Sequence, residues 1–223
     1  MFRRTIAMMS LVLLAGAAGL FALQGCSDDG TAPHDDLTTT TQDMANQSGV
    51  TAYAVAKLSE EFLGFEPGKL DGTNPENDQE AYPVVLTGEI NGTAYMLFKK
   101  AGEMVAYDAD PDWAWLFTAD GAPLVSGDEL IAVGLSLVAD PLSSTSATIN
   151  GEITVWFGPF ERVYTVTDLV VVLDGPPTGG TLTYSDDDHD VTVTYDGTDF
   201  AEIEVDGFFF ELNLETGEVV AMR

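Results

Sequence analysis

Basic residues and cysteine are the scarce components of this chain. Eight Lys+Arg stand against 37 Asp+Glu over 223 residues, a net charge of −29, and Cys26 is the only cysteine. One cysteine excludes an intramolecular disulfide framework. The shortage of cations argues against a nucleic-acid partner, because affinity there comes from Lys and Arg displacing counterions from phosphate. The usual catalytic signatures are missing too: there is no Gly-x-Ser-x-Gly elbow, no His-Glu-x-x-His and no phosphate loop ending in Lys-Ser/Thr. Apolar residues are not scarce. At 45% of the chain they exclude wholesale disorder, which requires low hydrophobicity as well as high charge.

The two amino-terminal arginines, Arg3 and Arg4, open an acid-free segment that runs apolar from Ile6 to Leu23. A positive start, an apolar stretch and small residues at its end are the marks of an export signal. The segment closes on Leu23-Gln24-Gly25-Cys26. These four residues resemble the lipobox of bacterial lipoproteins, with the sole cysteine at the modified position. The resemblance implies cleavage before Cys26, a diacylglyceryl thioether on its sulfur and acylation of the new amino end by a palmitate-class chain. Several chains would anchor the protein stably, where one gives only marginal binding. Ser27 follows the cysteine instead of the Asp that retains enterobacterial lipoproteins at the inner membrane, so the outer membrane is the expected site in a diderm host. The alternative is an ordinary thiol behind an uncleaved anchor. With residues 1–25 removed, six cations face 37 acids, a net charge of −31.

Three regions follow from these patterns: a signal peptide at 1–25, a lipidated tether at 26–49, and one acidic β-rich domain at 50–223 with a candidate sub-boundary near 140–147. The tether assignment rests on five acids, the run Thr38-Thr39-Thr40-Thr41 and the lack of apolar periodicity. A helix is predicted at about 51–63, where Thr51, Val55, Leu58, Phe62 and Phe65 recur at helical spacing, Lys57 and Glu61 pair, and Gly64 provides the stop. Residues 66–82 read as a polar loop. Strands are predicted at 84–86, 93–99, 104–107, 113–117, 129–138, 147–157, 162–173, 181–185, 191–195, 200–205, 208–214 and 218–222. Short strands with Asp-Gly, Asn-Gly and Gly-Pro between them indicate an antiparallel β-sandwich or open barrel built from hairpins, with one N-terminal α-helix.

The register of the carboxyl-terminal hairpin is predictable. A two-residue Asp206-Gly207 turn pairs Val205 with Phe208, Ile203 with Phe210 and Ala201 with Leu212 on one face. The other face pairs Glu204 with Phe209 and Glu202 with Glu211, like charges that need solvation. A three-residue loop Tyr195-Asp196-Gly197 adds Val191 and Val193 to the core face. Upstream, Ile149, Gly151, Ile153, Val155 and Phe157 share a face, and 169–173 is apolar on both, the pattern of a doubly covered strand.

Three groups of residues invite a functional reading. Asp186, Asp187, Asp188 and Asp190 surround His189, and Asp108, Asp110 and Asp112 form a second acidic cluster near Asp120. Clustered loop carboxylates are the usual source of calcium ligands, although dense like charge also marks plain solvated turns. His189 reads as a turn cap. Trp113, Trp115 and Phe117 alternate onto one strand face, with Trp156 facing away from Ile153 and Phe157. Such aromatics either fill a β core or form an exposed strip for sugar rings or a partner edge. No nucleophile motif accompanies any of these groups. The expected function is therefore a lipid-anchored cell-envelope protein acting as a non-catalytic binding or structural module, with an unidentified protein or glycan partner. Its alternatives are a carboxylate-based glycan hydrolase and a calcium-stabilised adhesion module.

Overall fold

The computed structural model describes residues 39–64, 81–87, 90–106, 110–119, 124–126 and 132–222. The signal segment and Cys26, Phe65, the polar loop at 66–80, Asp108 and Asp120 lie outside the described residues. The described chain is mainly antiparallel β with a single N-terminal helix.

Helix α1 spans Thr39–Gly64 and begins well before the predicted start at residue 51, taking residues 39–49 from the segment expected to be a tether. The reason is chemical. The added turns bury Thr41, Met44, Ala45, Ser48 and Gly49, a helical stripe made mostly of small or hydroxylated side chains that an apolar count passes over. Small residues let the helix approach the strands closely: a Cβ on Gly49 would lie 2.3 Å from Val219 Cγ2 and 3.5 Å from Ile203 Cδ1. The buried hydroxyls are all satisfied. Thr51 and Ser59 bond back to the carbonyls of Gln47 and Val55, and Ser48 Oγ meets the Tyr164 hydroxyl at 3.2 Å. Tyr195 donates from the sheet to the Ala52 carbonyl at 2.8 Å, and burial holds its hydroxyl far above the ordinary tyrosine range. Val55, Leu58 and Phe62 complete the buried stripe as predicted, while Lys57 pairs with Glu60 at 3.3 Å.

Thirteen strands among the described residues form one sheet. They are β1 (Tyr82–Thr87), β2 (Ile90–Lys100), β3 (Glu103–Met104), β4 (Trp113–Phe117), β5 (Leu124–Ser126), β6 (Ala132–Leu142) and β7 (Ser146–Phe157). The second half comprises β8 (Phe160–Val172), β9 (Gly179–Ser185), β10 (Asp190–Tyr195), β11 (Phe200–Val205), β12 (Phe208–Asn213) and β13 (Val219–Ala221). The order is β1-β2-β4-β6-β7-β8-β9-β10-β11-β12-β13, with β3 beside β2 and β5 bridging β2 and β6. Every pairing is antiparallel, and the path has two ends, β1 and β13. Only the short β5 has no counterpart among the predicted strands.

Helix α1 contacts β7, β8 and β10 through β13, so the sheet curves around it. Ile149, Ile153, Val155, Tyr164, Val166, Leu182, Val193, Ile203, Val205, Phe210 and Leu212 all point inward and are buried. The β11–β12 register is the predicted one, Glu202 opposite Glu211 included, and Asp206 and Gly207 both adopt positive φ, as a two-residue hairpin turn of this kind requires. The β10–β11 loop is longer than the predicted three residues: Tyr195 remains in its strand and pairs with Ala201. Val191 and Val193 nevertheless face the core, because the slip is by an even number of residues. The run at 169–173 is not doubly covered. Leu169 and Val171 are buried, Val170 and Val172 half-buried, and Leu173 exposed, since one sheet around one helix leaves the outer face to solvent.

Strand β8 shifts register against both neighbours, between Ile149 and Gly151 on one side and between Thr167 and Val170 on the other, and such bulges bend strands. Asp168 sits there with φ 48°, and its N–H donates to Asn150 Oδ1 at 2.9 Å. Gly180 of β9 crosses this bulge with φ +103°, and a Cβ there would fall 2.4 Å from Leu169 Cα. Both the dihedral and the backbone contact require glycine. We expect Gly180→Ala to destabilise the protein by about 3 kcal/mol or more. Chemical denaturation of the full chain checks this, and a loss below about 1 kcal/mol would remove the bend from its assigned role.

Candidate functional site

The side chains that β4, β6 and β7 turn outward build one continuous groove. Strand β4 reads Trp-Ala-Trp-Leu-Phe, and its burial alternates: Ala114 and Leu116 are buried while Trp113, Trp115 and Phe117 are half-buried on the outer face. The core reading of these aromatics therefore gives way to the outer-face one. Register places Phe117 beside Ser136, Ser136 beside Glu152, Gly134 beside Thr154 and Ala132 beside Trp156. Trp115, Phe117, Thr118, Gly134, Ser136, Glu152, Thr154 and Trp156 line an open groove of about 830 Å³. That volume lies within the range of small-ligand sites, which combine apolar walls with a few fixed polar groups.

The rings in this groove are held in place. Trp115 stacks on Phe117 with centroids 4.2 Å apart, and Phe117 in turn stacks on Tyr95 of β2 at 5.9 Å. The Trp115 indole N–H donates to Ser136 Oγ at 3.0 Å. Across the groove, the Trp156 N–H donates to Glu161 Oε2 at 2.9 Å. Gly134 is the floor under Trp156: a Cβ there would lie 3.0 Å from the indole Cη2. Trp113 stands one step further along β4, outside the groove, with the Lys99 ammonium 4.2 Å from its ring centroid. Of the two tryptophans singled out from the sequence, Trp115 thus lines the groove and Trp113 does not. Trp156 joins from β7. Gly134, Ser136, Glu152 and Thr154 escaped sequence reasoning because the β4–β6 register is not set by a turn motif.

The acidic clusters are organised differently. Asp186 Oδ1 accepts the N–H groups of Asp188 and His189, while its other oxygen accepts the Tyr184 hydroxyl. Asp190 accepts from Ser185 Oγ at 2.6 Å. His189 Nδ1 lies 2.7 Å from Asp206 Oδ2, which ties the β9–β10 hairpin to the β11–β12 hairpin, and Asp206 also accepts the Asp190 N–H. Asp187 and Asp188 are exposed. Asp112 accepts the Ala101 N–H, and Asp110 faces Lys100 at 3.6 Å. Among the described residues no group of three or more His, Cys, Asp or Glu side chains is disposed to hold a metal ion. The carboxylates that sequence reasoning gathered as candidate calcium ligands are used, where they make contacts, to build turns.

The electrostatics agree with that use. The Tyr184 hydroxyl, outweighing slight burial, and the two amide N–H groups hold the Asp186 carboxyl below the ordinary range. Hydrogen bonds from Thr198 do the same for Asp196. For Asp206 partial burial acts upward but is overcome by the Asp190 N–H and His189. Compared with protein-family models, curated proteins and solved structures, the chain matches none.

The sign of the Asp186 effect yields a prediction. Its pKa is lower folded than unfolded, so the ionised form stabilises the fold above the ordinary carboxylate range, and that contribution is lost as pH falls through the folded value. Asp186→Asn should lower Tm at pH 7 by about 2 °C or less, a small effect because the group is exposed. The gap to the unaltered protein should close below about pH 4. Thermal scans from pH 3 to 8 measure it, and a gap that does not change with pH would contradict the assignment.

Proposed function

We propose that this protein is an exported, lipid-anchored component of the bacterial cell envelope that acts as a non-catalytic binding module, held to a membrane through acyl chains on Cys26. In a diderm host the outer membrane is the favoured location. The observation that carries the binding reading is the outer groove of β4, β6 and β7, where two indoles with satisfied N–H groups, fixed by Ser136 and Glu161, flank a row of hydroxyls and one carboxylate. Large aromatics left half-exposed at a concave surface contribute to binding what they forgo in the core. Support for a non-catalytic role comes from the same place. Among the described residues Glu152 is the one acid that lines the groove, and Glu161, opposite Trp156 on β8, is engaged by the Trp156 N–H. The anchor rests on the lipobox-type residues at 23–26. Among the described residues no helix is long and apolar enough to cross a membrane.

Two measurements test the proposal. Mass spectrometry of the protein extracted from its host membrane should show the chain starting at Cys26 with diacylglyceryl and acyl additions, and Cys26→Ser should abolish both processing and lipidation. A variant that stays membrane-bound at full mass would defeat the anchor. Binding of the full chain to separated envelope fractions should be saturable and fall at least tenfold in Trp115→Ala plus Trp156→Ala, a loss of about 1.4 kcal/mol or more. Equal binding by the two proteins to every fraction would defeat the binding module.

A further inference from the structure

The groove's composition also selects a class of ligand. Its walls are Trp115 and Phe117 on β4 and Trp156 on β7, and between them lie the hydroxyls of Thr118, Ser136 and Thr154 with the Glu152 carboxylate. Apolar ring surface alternating with hydrogen-bonding groups complements a polyol whose C–H faces are apolar and whose edges are hydroxyls. The indole N–H donors are already taken, so the tryptophans offer ring surface and leave hydrogen bonding to the hydroxyls and Glu152. Ser136 Oγ, having accepted the Trp115 N–H, keeps its own proton to donate.

Charge narrows the class further. Among the described residues no Lys or Arg lines the groove, and residues 101–223 hold 24 acids against only Arg162 and Arg223. Phosphorylated or uronate-rich chains would meet repulsion with no compensating cation. A lone ammonium gains most from rings gathered into a cage within about 6 Å of one point. This site is an open trough of about 830 Å³, large enough for more than one sugar ring. We propose that the groove binds a neutral oligosaccharide, with Trp115 and Trp156 as stacking surfaces, Glu152 accepting from sugar hydroxyls, and Gly134 setting the height of the Trp156 ring. The proposal rests on the binding-module reading and names its ligand.

The test uses the full chain in detergent micelles, titrated with maltohexaose, cellohexaose and N-acetylated chitohexaose, and with hexagalacturonate as the anionic comparison. Tryptophan fluorescence and calorimetry report binding. At least one neutral hexasaccharide should bind saturably below millimolar concentration, and hexagalacturonate at least tenfold more weakly. Trp156→Ala should weaken binding at least tenfold, and Glu152→Gln several-fold. Gly134→Ala isolates ring position from ring presence. The added methyl pushes a surface indole by a few tenths of an ångström, so affinity should fall several-fold while Tm stays within about 3 °C. This variant and Glu152→Gln keep the test decisive should Trp156→Ala fail to fold. Absence of neutral-sugar binding at millimolar concentration, alongside groove-dependent binding to an envelope fraction, overturns the ligand class and leaves the binding module standing. Displacement of that bound fraction by a lysine-rich peptide would also overturn it, in favour of a cationic ligand. Loss of groove-dependent binding altogether overturns both.

Discussion

The close packing of α1 into the curve of a single sheet is the contact on which the rest of the fold depends. A sheet with only one buried face must find something to cover it, and here one helix covers the inner side of β7, β8 and β10 through β13. That works because the helix is slim where it meets the strands. Ala45, Ser48, Gly49 and Ala52 carry little side-chain volume, so apolar residues of the strands can reach the helix itself. Polar groups on the helix would be costly there, and each described one is answered: Ser48 by Tyr164, Thr51 and Ser59 by their own helix carbonyls. Tyr195 adds a bond from sheet to helix backbone, which fixes the depth of insertion.

Curvature then decides where large side chains go. On the inner side of a strongly bent sheet the strands crowd, and positions such as Ala94, Ala114, Ala139 and Ala147 are small and buried. On the outer side there is room, and β4 places Trp113, Trp115 and Phe117 there while sending Ala114 and Leu116 inward. Gly151 and Gly180 flank the bulge of β8 and set that bend, and Gly134 makes space for Trp156. Glycines acting in the core and at the surface therefore serve one geometry.

The sequence carried the local parts of this structure and not the long-range ones. The Asp206-Gly207 hairpin was legible to single-residue register because a tight turn and a period-two pattern agree. The faces of Val191 and Val193 survived an error in loop length because the error was even. The amino-terminal turns of α1 were hidden because its buried stripe there is written in Thr, Ser, Gly and Ala, residues that also spell a tether. The groove was half legible. Alternation put Trp113, Trp115 and Phe117 together on one face, but that face's orientation depends on what fills the curve, and the partners Ser136 and Glu152 on the alignment of β4 with β6, between which β5 intervenes in the chain so that no tight hairpin turn sets their register, and of β6 with β7.

The acid excess takes its meaning from this division between inner and outer faces. Glu202, Glu204 and Glu211 project to solvent from β11 and β12, and Glu202 stands directly opposite Glu211. Such a pair is unfavourable, and it is tolerated because each carboxylate is hydrated and far from the low-dielectric interior. On the inner side, beside the tyrosine hydroxyls, the helix also meets a cation, Arg162, whose guanidinium bonds Gln47 and lies 5.6 Å from the Phe157 ring centroid and 5.7 Å from that of Tyr184. The one basic side chain of strands β8 to β13 is thus spent on fixing helix to sheet, leaving the outer face of those strands acidic. A surface of that sign repels polyanions and anionic lipid headgroups alike. A neutral partner at the outer face must therefore be held by ring stacking and hydrogen bonds at the groove, because long-range attraction on an acidic surface acts only on cations.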